Sequence, residues 1–168
     1  MAKTHLDQLV NYPAEIIKII SDDKYCVGLT LNKKFDLITD EDKDNFLDKN
    51  IFDYQYVDDT TTEASAYIMV EMEVPNVENR AVKDTKIFVT VACHKNFMKL
   101  DSSLFPAFIG NRRDNIARYV DKLINDKMFL GIGRLSLSSA HVAYSANRFT
   151  ARQLVYEIPD FNIRDLDE

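Results

Sequence analysis

Two adjacent arginines, Arg112 and Arg113, stand in the first turn of a predicted helix. Their type and position suggest a specific role, because positive charge at a helix N terminus opposes the helix dipole, which favours anions there. Two interpretations stay open. The arginines either bind nearby acids, Asp114 or Asp101, or they face an acidic surface on another molecule.

The chain itself supplies an acidic surface. Residues 36–63 hold ten acidic residues and two lysines, a net charge of −8, whereas the whole chain carries −6. The remainder is therefore slightly basic, and residues 110–134 hold six basic and three acidic residues. Such segregated runs can be two solvated faces. They can also attract one another between copies, in a head-to-tail contact that closes into a ring.

No arrangement of side chains in the sequence indicates a metal site, a cofactor site or a nucleophile. The three histidines are far apart, and His94 follows Cys93 on a predicted strand, where adjacent side chains point to opposite faces. The Gly131–Gly133 pair lacks the third glycine of a dinucleotide site and is predicted to be a turn. There is no nucleophile elbow and no phosphate-binding loop. The sequence thus predicts no catalytic, cofactor-binding or metal-binding residue, and a protein that is not an enzyme.

One enzymatic alternative rests on the acidic residues. Paired carboxylates can hold the metal ions of phosphoryl transfer, and Glu71 and Glu73 lie two residues apart on a predicted strand. No lysine follows at the spacing of an acid-x-Lys metal site. An exposed strand face explains the pair more simply, so a metal-dependent nuclease stays the second class of function, beside a soluble binding or regulatory module.

The elements that must position these residues follow from hydrophobic periodicity and helix caps. The predicted helices cover Asn11–Ser21, capped by Asn11, Asp40–Asp48, capped by Thr39, and a stretch after the cap Asn111, where Asp114 can reach back to the cap amide. The predicted strands cover Ala64–Val74, Thr85–His94, a stretch with Leu135 and Leu137, and Thr150–Ile158. This order predicts an α+β fold with a mostly antiparallel four-stranded sheet of two hairpins, covered on one face by helices.

Length and composition place these elements in one domain. The 168 residues, with 46% hydrophobic and 29% charged, suit a single globular unit, residues 1–168, with an acidic irregular segment at about 36–63, a core at about 64–162 and a short acidic C-terminal tail. No apolar run can cross a bilayer and no signal-peptide core is visible, which predicts synthesis in the cytosol. Cys26 and Cys93 are predicted to be buried, reduced thiols.

Several stretches resemble small neck proteins of tailed bacteriophages, most closely the tail terminator or tail-completion family. They are Phe52–Thr60, Val89–Met98, Gly110–Ile124 and Phe129–Leu137, within a similarity over roughly residues 50–162. The resemblance implies an α+β subunit that assembles as a ring, often a hexamer, caps the tail tube and meets the head-completion proteins. It implies no catalysis. A head-closure or connector adaptor ring of the neck is the alternative within this class.

In such a virion ring, assembled in the host cytoplasm, we expect three kinds of contact residue. The expected basic contacts are Arg112, Arg113 and Arg118. The expected apolar anchors are Phe105 and Phe108, and the expected acidic partners are Asp53, Asp58 and Asp59. The expected partners are other copies of the chain, the tail tube protein, the head-completion or connector proteins and, non-specifically, genome DNA in the channel. No membrane partner is expected.

Overall fold

The structure is a computed structural model and describes most of the chain. The described residues are 7–57, 60–73, 76–78, 81–83, 85–128, 134–143 and 148–157. Asp58 and Asp59, the predicted glycine turn at 131–133 and the acidic C-terminal tail lie outside these ranges.

Four helices and seven strands make up the described fold. The helices are α1 (Asp7–Asp22), α2 (Lys24–Leu31), α3 (Asp40–Lys49) and α4 (Arg112–Ile124). The strands are β1 (Ile51–Phe52), β2 (Ala66–Glu73), β3 (Asn76–Glu78), β4 (Ala81–Lys83), β5 (Lys86–His94), β6 (Ser136–Ala143) and β7 (Phe149–Glu157). Short 3-10 turns cover Phe35–Leu37 and Lys95–Phe97. In the described ranges no helix is long and apolar enough to span a membrane.

The main sheet has five strands in the order β1-β2-β5-β7-β6. The two predicted hairpin pairs are confirmed, since β2 pairs antiparallel with β5 and β6 with β7, and β5 joins them by pairing with β7. The prediction of four strands is corrected by β1, which pairs parallel with β2 and makes the sheet mixed. β1 has only two residues, too few for a periodic signal. β3 and β4 form a separate two-stranded hairpin in the predicted connection.

The helices cover one face of the sheet, as the period-two alternation of the strands predicts. Ile68 of β2 stands opposite Val91 of β5, and Val70 stands opposite Val89; all four are fully buried in the core shared with the helices. Leu154 and Tyr156 extend this face into β7. The larger core therefore lies between the sheet and α1, α2 and α4.

The opposite face carries a second, smaller core, to which no helix of the described ranges contributes. Tyr67 and Phe149 belong to it, with ring centroids 5.7 Å apart, and Val57 packs there from the end of the acidic segment. Tyr56 stacks on Phe52 at 4.1 Å, so this aromatic stretch packs on its own sheet. Tyr54 and Tyr56 are the exposed aromatic side chains of this stretch.

The helix predictions differ in their outcome. α1 begins at Asp7, so Asn11 lies inside the helix and does not cap it. The cap at Thr39 is confirmed as a capping box with Asp42, whose pKa is lowered to about 2 by hydrogen bonds from Lys33 and from Thr39. The acidic segment is consequently ordered where it forms α3 and β1. α2 had no sequence prediction; the Asp23 carboxylate caps it by accepting from two backbone amides.

The helices form a layer in which α3 and α4 lie on opposite sides. α1 and α2 each contact both of them, whereas α3 also contacts β1 and α4 also contacts β5 and β7. The acidic helix therefore lies at the β1 edge of the sheet, and the arginine-bearing helix lies over its centre and far side.

Candidate interaction site

The N terminus of α4 is fixed by a network of polar side chains. The Asn111 side chain accepts from the backbone amide of Asp114 at 2.9 Å, which confirms the predicted cap. The Asp114 carboxylate was predicted to accept from the backbone amide of Asn111 but has other partners. It accepts from Arg113 at 2.9 Å, from Arg152 at 3.1 Å and from the side-chain amide of Asn111 at 2.8 Å. The network joins α4 to β7.

Arg112 is buried, with 2% of its surface exposed, and its guanidinium donates only to neutral oxygens. The acceptors are the carbonyls of Leu29, Phe97 (2.8 Å) and Lys99 (3.3 Å) and the side-chain oxygen of Asn32 (2.7 Å). The guanidinium carbon also lies 4.0 Å from the centre of the Phe97 ring. Burial lowers the pKa of this group from its usual value.

The burial of Arg112 explains why a cation begins α4. Leu29 lies in the last turn of α2, and Asn32 caps that helix in a left-handed conformation. Carbonyls at a helix C terminus lack intrahelical donors and carry the negative end of the dipole. Arg112 is unfavourable toward the dipole of its own helix, but it neutralises the C terminus of α2.

Arg113 is also inside the subunit, with 7% of its surface exposed. It donates to the Thr150 hydroxyl at 2.6 Å and to Asp114. Arg113 therefore binds a local acid, as one interpretation predicted, whereas Arg112 binds neither Asp114 nor Asp101. Neither guanidinium reaches the surface of the subunit, so the structure does not support the expected contact of either arginine with a neighbouring subunit. The other expected local acid, Asp101, accepts from Ser103.

The network around Asp114 predicts a pH dependence of stability. Desolvation raises the pKa of Asp114, but hydrogen bonds from Arg113, Arg152 and Asn111 outweigh it and hold the pKa well below its usual value. A carboxyl whose pKa is lowered by folding stabilises the fold above its unfolded pKa, about 3.9, and loses that contribution as the pH falls. Asp114→Asn is expected to flatten the decline of the unfolding midpoint between about pH 5 and pH 2. Urea titrations across that range check this, with the exposed Glu15→Gln as control; equal slopes for wild type and Asp114→Asn would contradict it.

An aromatic-basic patch lies where α2, α4 and the loop between β5 and α4 meet. Its rings are Tyr25, Phe35, Phe108 and Tyr119, with Tyr25 stacked on Tyr119 at 4.7 Å and Phe108 stacked on Tyr119 at 5.9 Å. Phe105 lies beneath them, 1% exposed. Of the two predicted apolar anchors, Phe105 is thus a core residue and Phe108 is half-buried at the surface.

Cations surround these rings. The Arg118 guanidinium lies 5.4 Å from the centre of the Tyr119 ring and 5.7 Å from that of Phe108. Lys122 lies 4.8 Å from Tyr119, and Lys24 lies 5.4 Å from Tyr25. Arg118 and Lys122 are exposed and one helical turn apart, and no carboxylate of the described residues lies within salt-bridge distance of either. Arg118 is therefore at the surface, as expected of a contact residue.

The acidic face belongs to α3 and the residues after it. Asp44 and Asp48 are exposed and one turn apart, and Leu47 lies beside them with 39% of its surface exposed. Asp53 is exposed after β1, as predicted for an acidic contact. The i, i+3, i+4 spacing of Asp44, Leu47 and Asp48 places all three on one helix face.

Other possible sites offer less. A shallow pocket of about 320 Å³ is lined by Tyr56, residues 60–63 and Tyr67. Burial raises the pKa of Tyr67, whose hydroxyl donates to Glu63 at 3.4 Å. Within the described ranges no group of three or more His, Cys, Asp or Glu side chains could hold a metal ion.

The remaining candidates from the sequence are the two glutamates of β2 and the two cysteines. Glu71 stands opposite Phe88, and Glu73 stands opposite Lys86 at the end of the sheet. The prediction for the cysteines is confirmed, since Cys26 and Cys93 are both free and buried. Burial raises the pKa of Cys93 to about 12, which keeps this thiol protonated.

The chain was compared with protein families, curated proteins and solved structures. The family model YomW matches residues 13–158 of the chain. No curated protein and no solved structure matches it.

Proposed function

The chain belongs to the YomW family, which is derived from phages like the Bacillus phage SPBeta, and on this basis we propose a structural role in a virion. The proposed place of the protein is the neck of a tailed phage. In this proposal it is the tail terminator, a ring that caps the tail tube and joins it to the head-completion proteins. The phage origin of the family and the resemblance of the stretches between residues 50 and 162 to tail-completion proteins support the assignment. No catalytic role is proposed.

The observation that carries the proposal is the separation of opposite charges across the helical layer. The exposed acids of α3 lie at the β1 edge, and the exposed cations of α4 lie on the other side of α1 and α2. Two complementary surfaces on opposite sides of one subunit favour head-to-tail contacts, which close into a ring when the rotation between copies allows it. A hexamer is the order that the resemblance implies.

The architecture supports the choice between the two kinds of neck ring in this proposal. The chain combines a five-stranded sheet with four helices, whereas portal-side connectors are often mainly helical or small β-barrels. This favours the tail terminator over a head-closure or adaptor ring. Genome DNA would pass through the channel with only non-specific contacts, since a net charge of −6 per copy repels phosphates.

Electron microscopy of lysates from a phage that lacks this gene tests the role. A missing terminator is expected to leave tails of uncontrolled length beside unattached, DNA-filled heads. Tails of normal length beside unattached heads would instead indicate the head-closure or adaptor ring. Infectious particles of normal form would overturn the proposal, and complementation with the wild-type gene is the control.

A further inference from the structure

We propose that the aromatic-basic patch of one subunit binds the acidic face of α3 in a second copy of the chain. The inference rests on the proposed ring and names the contact that builds it. Its occupant is a helix of this chain, and its receiving residues are Arg118, Tyr119 and Lys122.

The acidic side presents an apolar side chain between two negative charges. Asp44 and Asp48 are separated by one helical turn, and Leu47 lies on the same face. Leu47 is 39% exposed on a helix that is otherwise strongly acidic. Its exposure is unfavourable in an isolated subunit and is relieved when the face is covered by an apolar surface.

The receiving side has the same spacing with the opposite charge. Arg118 and Lys122 are also separated by one turn, and Tyr119 lies between them with Phe108 stacked on its ring. A helix carrying two acids one turn apart can therefore place both against the two cations. Leu47 then meets the aromatic rings, and each charge finds a partner that the described residues of its own subunit do not provide.

The two surfaces lie apart within one subunit, because α3 contacts β1 at the edge of the sheet, α4 contacts β5 and β7, and α1 and α2 contact both helices. Contact therefore requires another copy. It is also heterologous, since each copy gives its acidic face to one neighbour and its patch to the other. We leave Lys24 out of the contact, since its amine already lies 3.8 Å from Asp36.

Charge reversal on each side, followed by mixing, tests the contact directly. The first variant is Arg118→Glu with Lys122→Glu, and the second is Asp44→Lys with Asp48→Lys. Alone, each presents like charges at every contact, and we expect its self-association, measured by analytical ultracentrifugation, to weaken by more than about a hundredfold. Mixed in equal amounts, each variant's altered surface matches the other's, so assemblies with alternating copies and an even number of subunits are expected to return.

Matched controls separate assembly from folding. Lys18→Glu and Glu15→Lys each reverse one charge of the same sign at exposed positions of α1 and are expected to assemble like wild type. Thermal melts of all variants at low concentration show whether each subunit is folded. Raising the salt from about 0.1 M to 1 M shortens the Debye length from about 10 Å to 3 Å, so it should weaken the wild-type assembly.

Three results would overturn the inference. They are a wild-type chain that stays monomeric at its highest soluble concentration, reversal variants that assemble as wild type does, or a mixture of folded variants that stays monomeric. Persistent assembly in the reversal variants would direct attention to the open edge of β6, whose residues 136–143 carry no Lys, Arg, Asp or Glu. These experiments test the contact between subunits, whereas the gene-deletion phenotype tests the role in the virion. The two proposals can therefore fail separately.

Discussion

Replacing Arg112 with methionine is expected to lower the free energy of unfolding by about 3–5 kcal/mol. Methionine fills much of the same space but donates no hydrogen bond. The carbonyls of Leu29, Phe97 and Lys99 and the Asn32 side chain would each lose their guanidinium donor, and the C terminus of α2 would lose its neutralising charge. Removing the desolvated cation offsets part of this cost, but the four acceptors stay in place around the space that the guanidinium occupied.

Urea denaturation of the monomer measures this effect as a shift of the midpoint with an unchanged slope. Arg112→Lys is expected to fall between the variant and wild type, since an ammonium keeps the charge but not the planar fork that reaches several acceptors. Lys18→Met, at an exposed position of α1, is the control and should cost less than about 1 kcal/mol. A loss for Arg112→Met as small as that of the control would contradict the structural role of Arg112.

Gly28→Ala is expected to destabilise the fold by up to about 2 kcal/mol, although alanine is the better helix former. A Cβ at Gly28 would lie 2.6 Å from a ring carbon of Phe35 and 2.8 Å from the carbonyl oxygen of Lys33. Alanine gains about 1 kcal/mol of helix propensity over glycine, whereas overpacking costs about 1–3 kcal/mol. The clash with a backbone oxygen decides the sign, because that oxygen cannot rotate away as a flexible side chain can.

Thermal unfolding measures the stability of the Gly28→Ala variant, and near-ultraviolet circular dichroism measures the packing of its aromatic rings. The spectrum should change, since Phe35 must move and its ring contacts Tyr25 and Phe108 in the aromatic-basic patch. Ala14→Gly, at an exposed position of α1, isolates the propensity term and should cost about 1 kcal/mol. A Gly28→Ala variant as stable as wild type would mean that α2 and the turn at Phe35 can separate at little cost.

The sequence predicted the elements whose signal is local. The alternation in β2 and β5, the cap of α3 and the cap of α4 all appear in the structure near the predicted positions. α2 was missed because its residues Cys26–Thr30 are all buried, so it lacks the polar face that marks a surface helix. β1 was missed because two residues pairing with a distant strand leave no pattern of their own.

The candidate site was harder to predict for the same reason. The sequence marked Arg112 as an anomaly, but two of the acceptors that explain it, Leu29 and Asn32, lie 83 and 80 positions away at the end of a helix that was not predicted. Arg118 and Phe108 were predicted from their own neighbourhood and do lie at the surface. Their grouping with Tyr25 and Phe35 depends on the packing of α2 against α4, which a linear pattern does not contain.

The reach of Arg112 also has a consequence for synthesis on the ribosome. Leu29 and Arg112 are 83 residues apart, so at about 5–20 residues per second the end of α2 is made about 4–17 s before the side chain that completes it. During that interval the C terminus of α2 in the nascent chain lacks the hydrogen-bond donor that Arg112 supplies in the folded protein. The N-terminal helices therefore cannot finish folding in order of synthesis, and nascent chains that stop before residue 112 should need chaperones or be degraded.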